Sequence, residues 1–82
     1  MKNMVYTVNS IYNDKKEGLS YEFKVYDNEA KANKKFRENI NKFIKENEEN
    51  IETKKINLYD AEISTSFHKK TLNIQQEIMQ IE

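Results

Sequence analysis

Eighty-two residues holding one glycine, one histidine, no proline and no cysteine are short of the groups that build active sites: a nucleophile needs a base beside it, a metal needs imidazole or thiolate ligands, and a phosphate cradle needs glycines. Fourteen bases against fourteen acids leave no net charge, unlike general nucleic-acid binders, whose phosphate contacts show as a basic excess, and unlike acidic DNA mimics. The length suits one domain over 1–82 that buries roughly 60 to 65% of its unfolded surface, and nine aromatics with nine isoleucines supply a core despite 34% charged residues.

The strand signals come first. Met4, Tyr6, Val8 and Tyr12 share one face by the period of two, and Val5, Thr7 and Ile11 share the other. Apolar weight on both sides suits a strand inside a sheet. A polar run over 13–18 ends in Gly18, as expected of a hairpin loop that needs one positive φ. Leu19, Tyr21, Phe23 and Val25 then alternate with Ser20, Glu22, Lys24 and Tyr26. The simplest expectation puts Tyr21 and Phe23 with their neighbours in the core and leaves Tyr26 on the opposite face.

At Asp27 and Asn28 the period changes, because either residue caps a helix start and Glu29 places an acid in the first turn. Ala32, Phe36, Ile40, Phe43, Ile44 and Ile51 fall within an arc of about 120°, the stripe of a helix lying on a sheet. Asn47 and Asn50 weaken the last turns, so the helix is expected to end near Asn50. Past Lys54, Ile56 and Leu58 lie on one side and Tyr59, Ala61, Ile63, Thr65 and Phe67 on the other. This predicts one strand with a bulge near Tyr59 and Asp60, then a turn over 66–70. The tail 71–82 fits a strand through Leu72, Ile74 and Ile78 or a short helix through Ile74, Ile78 and Ile81; a strand is preferred, because the third strand otherwise lacks a hairpin partner. The sum is an α+β fold, a four-stranded antiparallel sheet with one long helix packed on one face, in the order ββαββ.

Few residues suggest chemistry. His68 sits between Phe67 and two lysines, where it reads as a surface histidine, and no second imidazole is present to share a metal. Asp60 with Glu62 is too common a spacing to count as a catalytic pair, and Ser10, Ser20, Ser64 and Ser66 have no identifiable base. No catalytic, cofactor-binding or metal-binding residue is assigned, and the chain is read as a non-enzyme.

The helix charges are more informative. Six bases and one acid lie between Lys31 and Lys45, and four acids with no base between Glu46 and Glu52. That order opposes the helix dipole at about 0.3 to 1 kcal/mol per badly placed exposed charge. Pairs such as Lys34 with Glu38 and Lys45 with Glu49 offset part of this, at about 0.2 to 0.5 kcal/mol each. A local rule broken without structural gain marks a candidate docking surface, here Lys31, Lys34, Lys35, Arg37, Lys42 and Lys45. Tyr12 and Tyr26 join them as candidate partner anchors, since tyrosine is enriched at interface hot spots. A sheet with one helix also leaves a face open, where Val5, Ile11 and Tyr26 are expected to form an apolar patch, and its edges invite strand addition.

Thirteen lysines to one arginine, with eleven asparagines, is the bias that an AT-rich genome imposes on codons, pointing to a low-GC bacterium or its phages. Without cysteine, without the apolar run of a signal peptide and without about 20 consecutive apolar residues to span a bilayer, the expected location is the cytoplasm of a bacterial host. A hairpin, then Val25-Tyr26-Asp27, then Asn28-Glu29-Ala30-Lys31-Ala32 opening an amphipathic helix, resembles short proteins carried by phages and mobile elements of low-GC bacteria, anti-CRISPR inhibitors among them. The resemblance covers about the first half of the chain and transfers no functional residue. It implies a protein that inhibits a host defence complex, such as a CRISPR effector, by occupying a surface. Two alternatives are a nucleic-acid-binding module using the basic half of the helix and a homodimeric regulatory domain.

Overall fold

The β1–β2 hairpin is set by its loop. The Asp14 carboxylate accepts the amides of Lys16 (2.8 Å) and Glu17 (3.3 Å), and Gly18 turns the chain back at a φ of +96°. A computed structural model describes residues 3–81, in which the hairpin strands are β1 (Asn3–Asp14) and β2 (Gly18–Tyr26). Helix α1 (Glu29–Glu46) follows, then a single 3-10 turn (Glu48–Asn50), strands β3 (Ile51–Ile56) and β4 (Asp60–Thr65), a second 3-10 turn (Phe67–Lys69), and β5 (Thr71–Ile81). The five strands form one antiparallel sheet in the order β2-β1-β5-β4-β3. The α+β class and the single helix on one sheet face are as the sequence predicts, and β1 does sit inside the sheet.

The strand count differs, because the single bulged strand expected past Lys54 is a hairpin. Asn57 donates its amide to the Asp60 carbonyl at 2.8 Å and its side-chain amide to the Asp60 carboxylate at 2.6 Å, closing a turn through Leu58 and Tyr59. The order is therefore ββαβββ. The tail is a strand as preferred, with Glu82, the last residue of that expected element, outside the described residues. The turn over 66–70 is also present. Thr65 Oγ accepts the Lys70 amide at 3.0 Å, while His68 and Lys69 take left-handed φ values of 60° and 47°.

At its start α1 is capped by Asn28, whose side-chain oxygen accepts the Lys31 amide at 2.9 Å, with Glu29 in the first turn. Replacing Asn28 by alanine is expected to lower stability by about 1 kcal/mol, and an unchanged urea midpoint would show that the cap contributes nothing. The helix stops before Asn50. Asn47 is buried with its side chain folded back to donate to the Phe43 carbonyl at 2.8 Å, which occupies an acceptor of the last helical turn.

Ala32, Phe36, Ile40 and Phe43 of α1 are buried against Val8, Ala61, Ile63, Leu72 and Ile74, with Tyr6, Tyr12, Tyr26, Ile44 and Ile51 packed around them. The helix stripe is thus the expected one from Ala32 to Ile44, whereas Ile51, expected on the same stripe, opens β3 because the helix already ends at Glu46. The assignment of faces in β2 is not the expected one. Val8 pairs with Lys24, Ser10 with Glu22 and Tyr12 with Ser20, so the polar side of β2 looks toward the helix. Tyr21 and Phe23 project from the other side and are exposed, while Tyr26 joins the core margin and leaves the expected patch with Val5 and Ile11. The physical reason is position. β2 is the edge strand, beyond the part of the sheet that the apolar stripe of α1 covers.

Candidate interaction surface

The polar side of β2 is fixed to the helix by one buried amide. Asn39, itself buried, donates from Nδ2 to the Ser10 hydroxyl at 2.9 Å and to the Glu22 carboxylate at 3.0 Å. Lys35 stands 3.6 Å from the same carboxylate. The hydrogen bond from Asn39, reinforced by the charges of Lys35 and Lys24, holds the Glu22 carboxyl below its ordinary pKa despite some desolvation.

Chemical groups elsewhere are dispersed. Among the described residues no three His, Asp or Glu side chains gather as a metal site requires. His68 lies edge-on to Phe67, with ring centroids 4.0 Å apart. A concavity of about 310 Å³ at the hairpin end is lined by Tyr12, Leu19, Phe43 and Lys70 among others. Burial pushes the Tyr12 phenol up from its ordinary pKa, and the backbone amide of Lys16, with lesser help from Glu17 and Lys70, holds Asp14 down. Both groups are engaged within the fold.

The outer face of α1 carries the basic residues singled out in the sequence, and several of them are occupied locally. Lys31 pairs with Asp27 at 3.1 Å, Lys34 with Glu38 at 4.0 Å and Lys35 with Glu22, while Arg37 Nε donates to the Asn33 side chain at 2.9 Å. Lys42 and Lys45 are exposed. Tyr12 and Tyr26 are not on this face; both are half-buried against the core, Tyr12 with its ring 6.4 Å from that of Phe43. The candidate residues therefore do not form one surface.

A different surface does form, on the side of the sheet away from the helix. Leu19, Tyr21, Phe23 and Val25 are 73%, 61%, 46% and 53% exposed in a row along β2. Ile11, opposite Tyr21, and Val5, opposite Met79, extend the patch onto β1 and β5. The Tyr21 hydroxyl donates to Asn9 at 2.6 Å, which sets the ring across the neighbouring strand. Toward β3 the same face turns polar, with Asn73, Gln75 and Glu77 on β5, Glu62 on β4 and Lys55 on β3. Apolar surface is therefore concentrated at the β2 edge, in one contiguous patch of large side chains.

The alternation that carries this patch is plain in the sequence, where it reads as a core face. The signal that corrects it is the hairpin register. A loop that pairs Asp14 with Gly18 also pairs Val8 with Lys24 and Ile11 with Tyr21, so the more apolar sides of β1 and β2 point in opposite directions. Comparison with known protein families, curated proteins and solved structures finds no match, so the geometry of the surface carries the functional reading.

Proposed function

We propose that this protein acts by binding another protein, without chemistry of its own, and that the apolar part of the open sheet face is where the partner docks. The observation that carries this reading is the exposed row Leu19, Tyr21, Phe23 and Val25, since large aromatic and aliphatic groups gathered at a surface lower the free energy only when something covers them. Within it we place the chain among inhibitors that block a host complex by occupying a surface, acting in the cytoplasm of a bacterial host. The AT-biased composition and the likeness of the first half to phage and mobile-element proteins support that role, with a CRISPR effector as the candidate target. No helix among the described residues is long and apolar enough to cross a membrane.

Affinity capture from a host lysate tests the docking surface with three baits. The Tyr21→Asp, Phe23→Asp double variant is expected to lose the proteins that the wild type retains, and to keep its fold, because both side chains are already in solvent. The Lys34→Glu, Lys35→Glu, Lys42→Glu variant is expected to retain them. The reverse pattern would move the docking surface to the helix.

A further inference from the structure

The two edges of the sheet are unlike each other. β3 is six residues long, shifts register between Ile51 and Thr53, and carries Lys54 and Lys55. Shortness, a bulge and lysines are the usual devices that stop an edge from pairing with another chain. β2 is nine residues long and pairs with β1 without a break in register from Gly18 to Tyr26. It has no proline, and the exposed apolar row lies along it. One edge is closed to strand addition and the other is open to it.

We propose that a second copy of this chain adds to the free edge of β2, antiparallel and centred on Phe23, so that two sheets join into one of ten strands. The inference rests on the reading of the open face as a docking surface, and it names the first occupant of that edge.

The argument is the self-complementarity of the strand. With Phe23 opposite Phe23 of the second copy, Glu22 falls opposite Lys24 and Lys24 opposite Glu22, both on the helix side, while Tyr21 falls opposite Val25 on the open side. Two ion pairs and three apolar cross-strand pairs form at once, each pair of a kind that stabilises adjacent strands. Sliding by one residue sets the apolar side of one copy against the polar side of the other. Centring the axis on Glu22 opposes two carboxylates, and centring it on Lys24 opposes two ammonium groups. Centring it on Tyr21 keeps the faces matched but sets Glu22 against Ser20 and Lys24 against Gly18, so no ion pair forms; of the registers near the strand centre, the one about Phe23 alone matches the faces and pairs the charges. A two-fold axis through the strand gives the isologous contact that closed dimers use. The joined sheet also brings the two apolar rows side by side, so the protein docking proposed above would meet a composite of both copies.

Sedimentation equilibrium and charge exchange test this. The wild type is expected to move from 9.9 kDa toward twice that mass as concentration rises into the high-micromolar range. Lys24→Glu alone and Glu22→Lys alone are each expected to stay monomeric, and their equimolar mixture to recover the doubled mass, because the mixture restores both ion pairs. A single thiol gives the register independently of Glu22, whose link to Asn39 makes its variant the riskier one to fold. The chain has no cysteine, so Phe23→Cys supplies the only thiol, opposite its own copy at about 4.5 to 5.5 Å between Cα atoms, within disulfide range. Val25→Cys would lie about 14 Å from its counterpart along the strand. Oxidation is expected to link the first and not the second. A wild type that stays monomeric throughout, a Lys24→Glu variant that dimerises as well as the wild type, or equal cross-linking at the two positions would overturn the proposal. A monomeric wild type whose captured partners still depend on Tyr21 and Phe23 would overturn the dimer alone and leave the docking face standing.

Discussion

Replacing Phe36 by alanine is expected to destabilise the fold by about 3 to 5 kcal/mol, the range measured when a buried aromatic ring is deleted from a close-packed core. Phe36 is buried where α1 meets the sheet, within a cluster that includes Val8, Ile63, Leu72 and Ile74. A chain of this length has about 4 to 12 kcal/mol of total stability, so the variant is expected to melt far below the wild type or to be unfolded at room temperature. Phe23→Ala is the matched control, with the same atoms removed from a half-exposed site. Its cost is expected to stay near 1 kcal/mol or less, as for most substitutions away from the core. Equal losses in urea melts of the two variants would mean that β2 faces the helix after all.

Asn39→Ala is expected to cost about 1 to 3 kcal/mol, the penalty for leaving a buried polar partner unsatisfied. The variant removes two hydrogen bonds at once, to the Ser10 hydroxyl at 2.9 Å and the Glu22 carboxylate at 3.0 Å. Ser10 has no exposure to water through which to replace its share. The effect carries a pH signature. Asn39 holds the Glu22 carboxyl below its ordinary value of 4.5 in the folded protein, so the stabilisation it lends is fully present above that pH. It is lost as the pH falls through the lowered folded-state value. The gap in stability between wild type and Asn39→Ala should therefore narrow on acidification below pH 4.5. The Glu22 side chain is about a third exposed at 35%, so solvent screening keeps the titrating part of the gap the smaller one, and the Ser10 part persists. A gap that widens in acid would contradict this assignment of the carboxylate.

What could be read from the sequence was whatever a repeat of two or of three to four residues encodes. The stripe Ala32, Phe36, Ile40 and Phe43 is legible because a helix shows one side to its neighbour, and its angular spacing names that side. Strand alternation is more ambiguous. It says which residues share a face and not which face is covered, so Tyr21 and Phe23 were as good a core as Tyr6 and Val8 until the hairpin register fixed their relation. Even then, Glu22 toward the helix looks wrong unless Asn39 is known to receive it, a pairing 17 residues apart in the chain that no periodicity announces. The split of the expected third strand into β3 and β4 is hidden from the sequence for a related reason. Asn57-Leu58-Tyr59 contains no glycine or proline, and what makes it a turn is the double contact of Asn57 with Asp60. The basic positions of α1 were legible as a charge pattern, but their local pairing with Asp27, Glu38 and Glu22 depends on rotamers that sequence does not specify.

The place of β5 between β1 and β4 has a kinetic consequence. The first and last strands of the described chain are neighbours at the middle of the sheet, so neither half can be finished locally: the hairpin with α1 and the β3–β4 hairpin remain two separate pieces until β5 bridges them. Such long-range pairing demands a large loop closure before it is rewarded, which slows folding toward the millisecond-to-second range of β-rich domains. During synthesis the two pieces must wait for β5 before the sheet can close, and until then Val8 and the inner side of α1 stay open to chaperones and to misassembly.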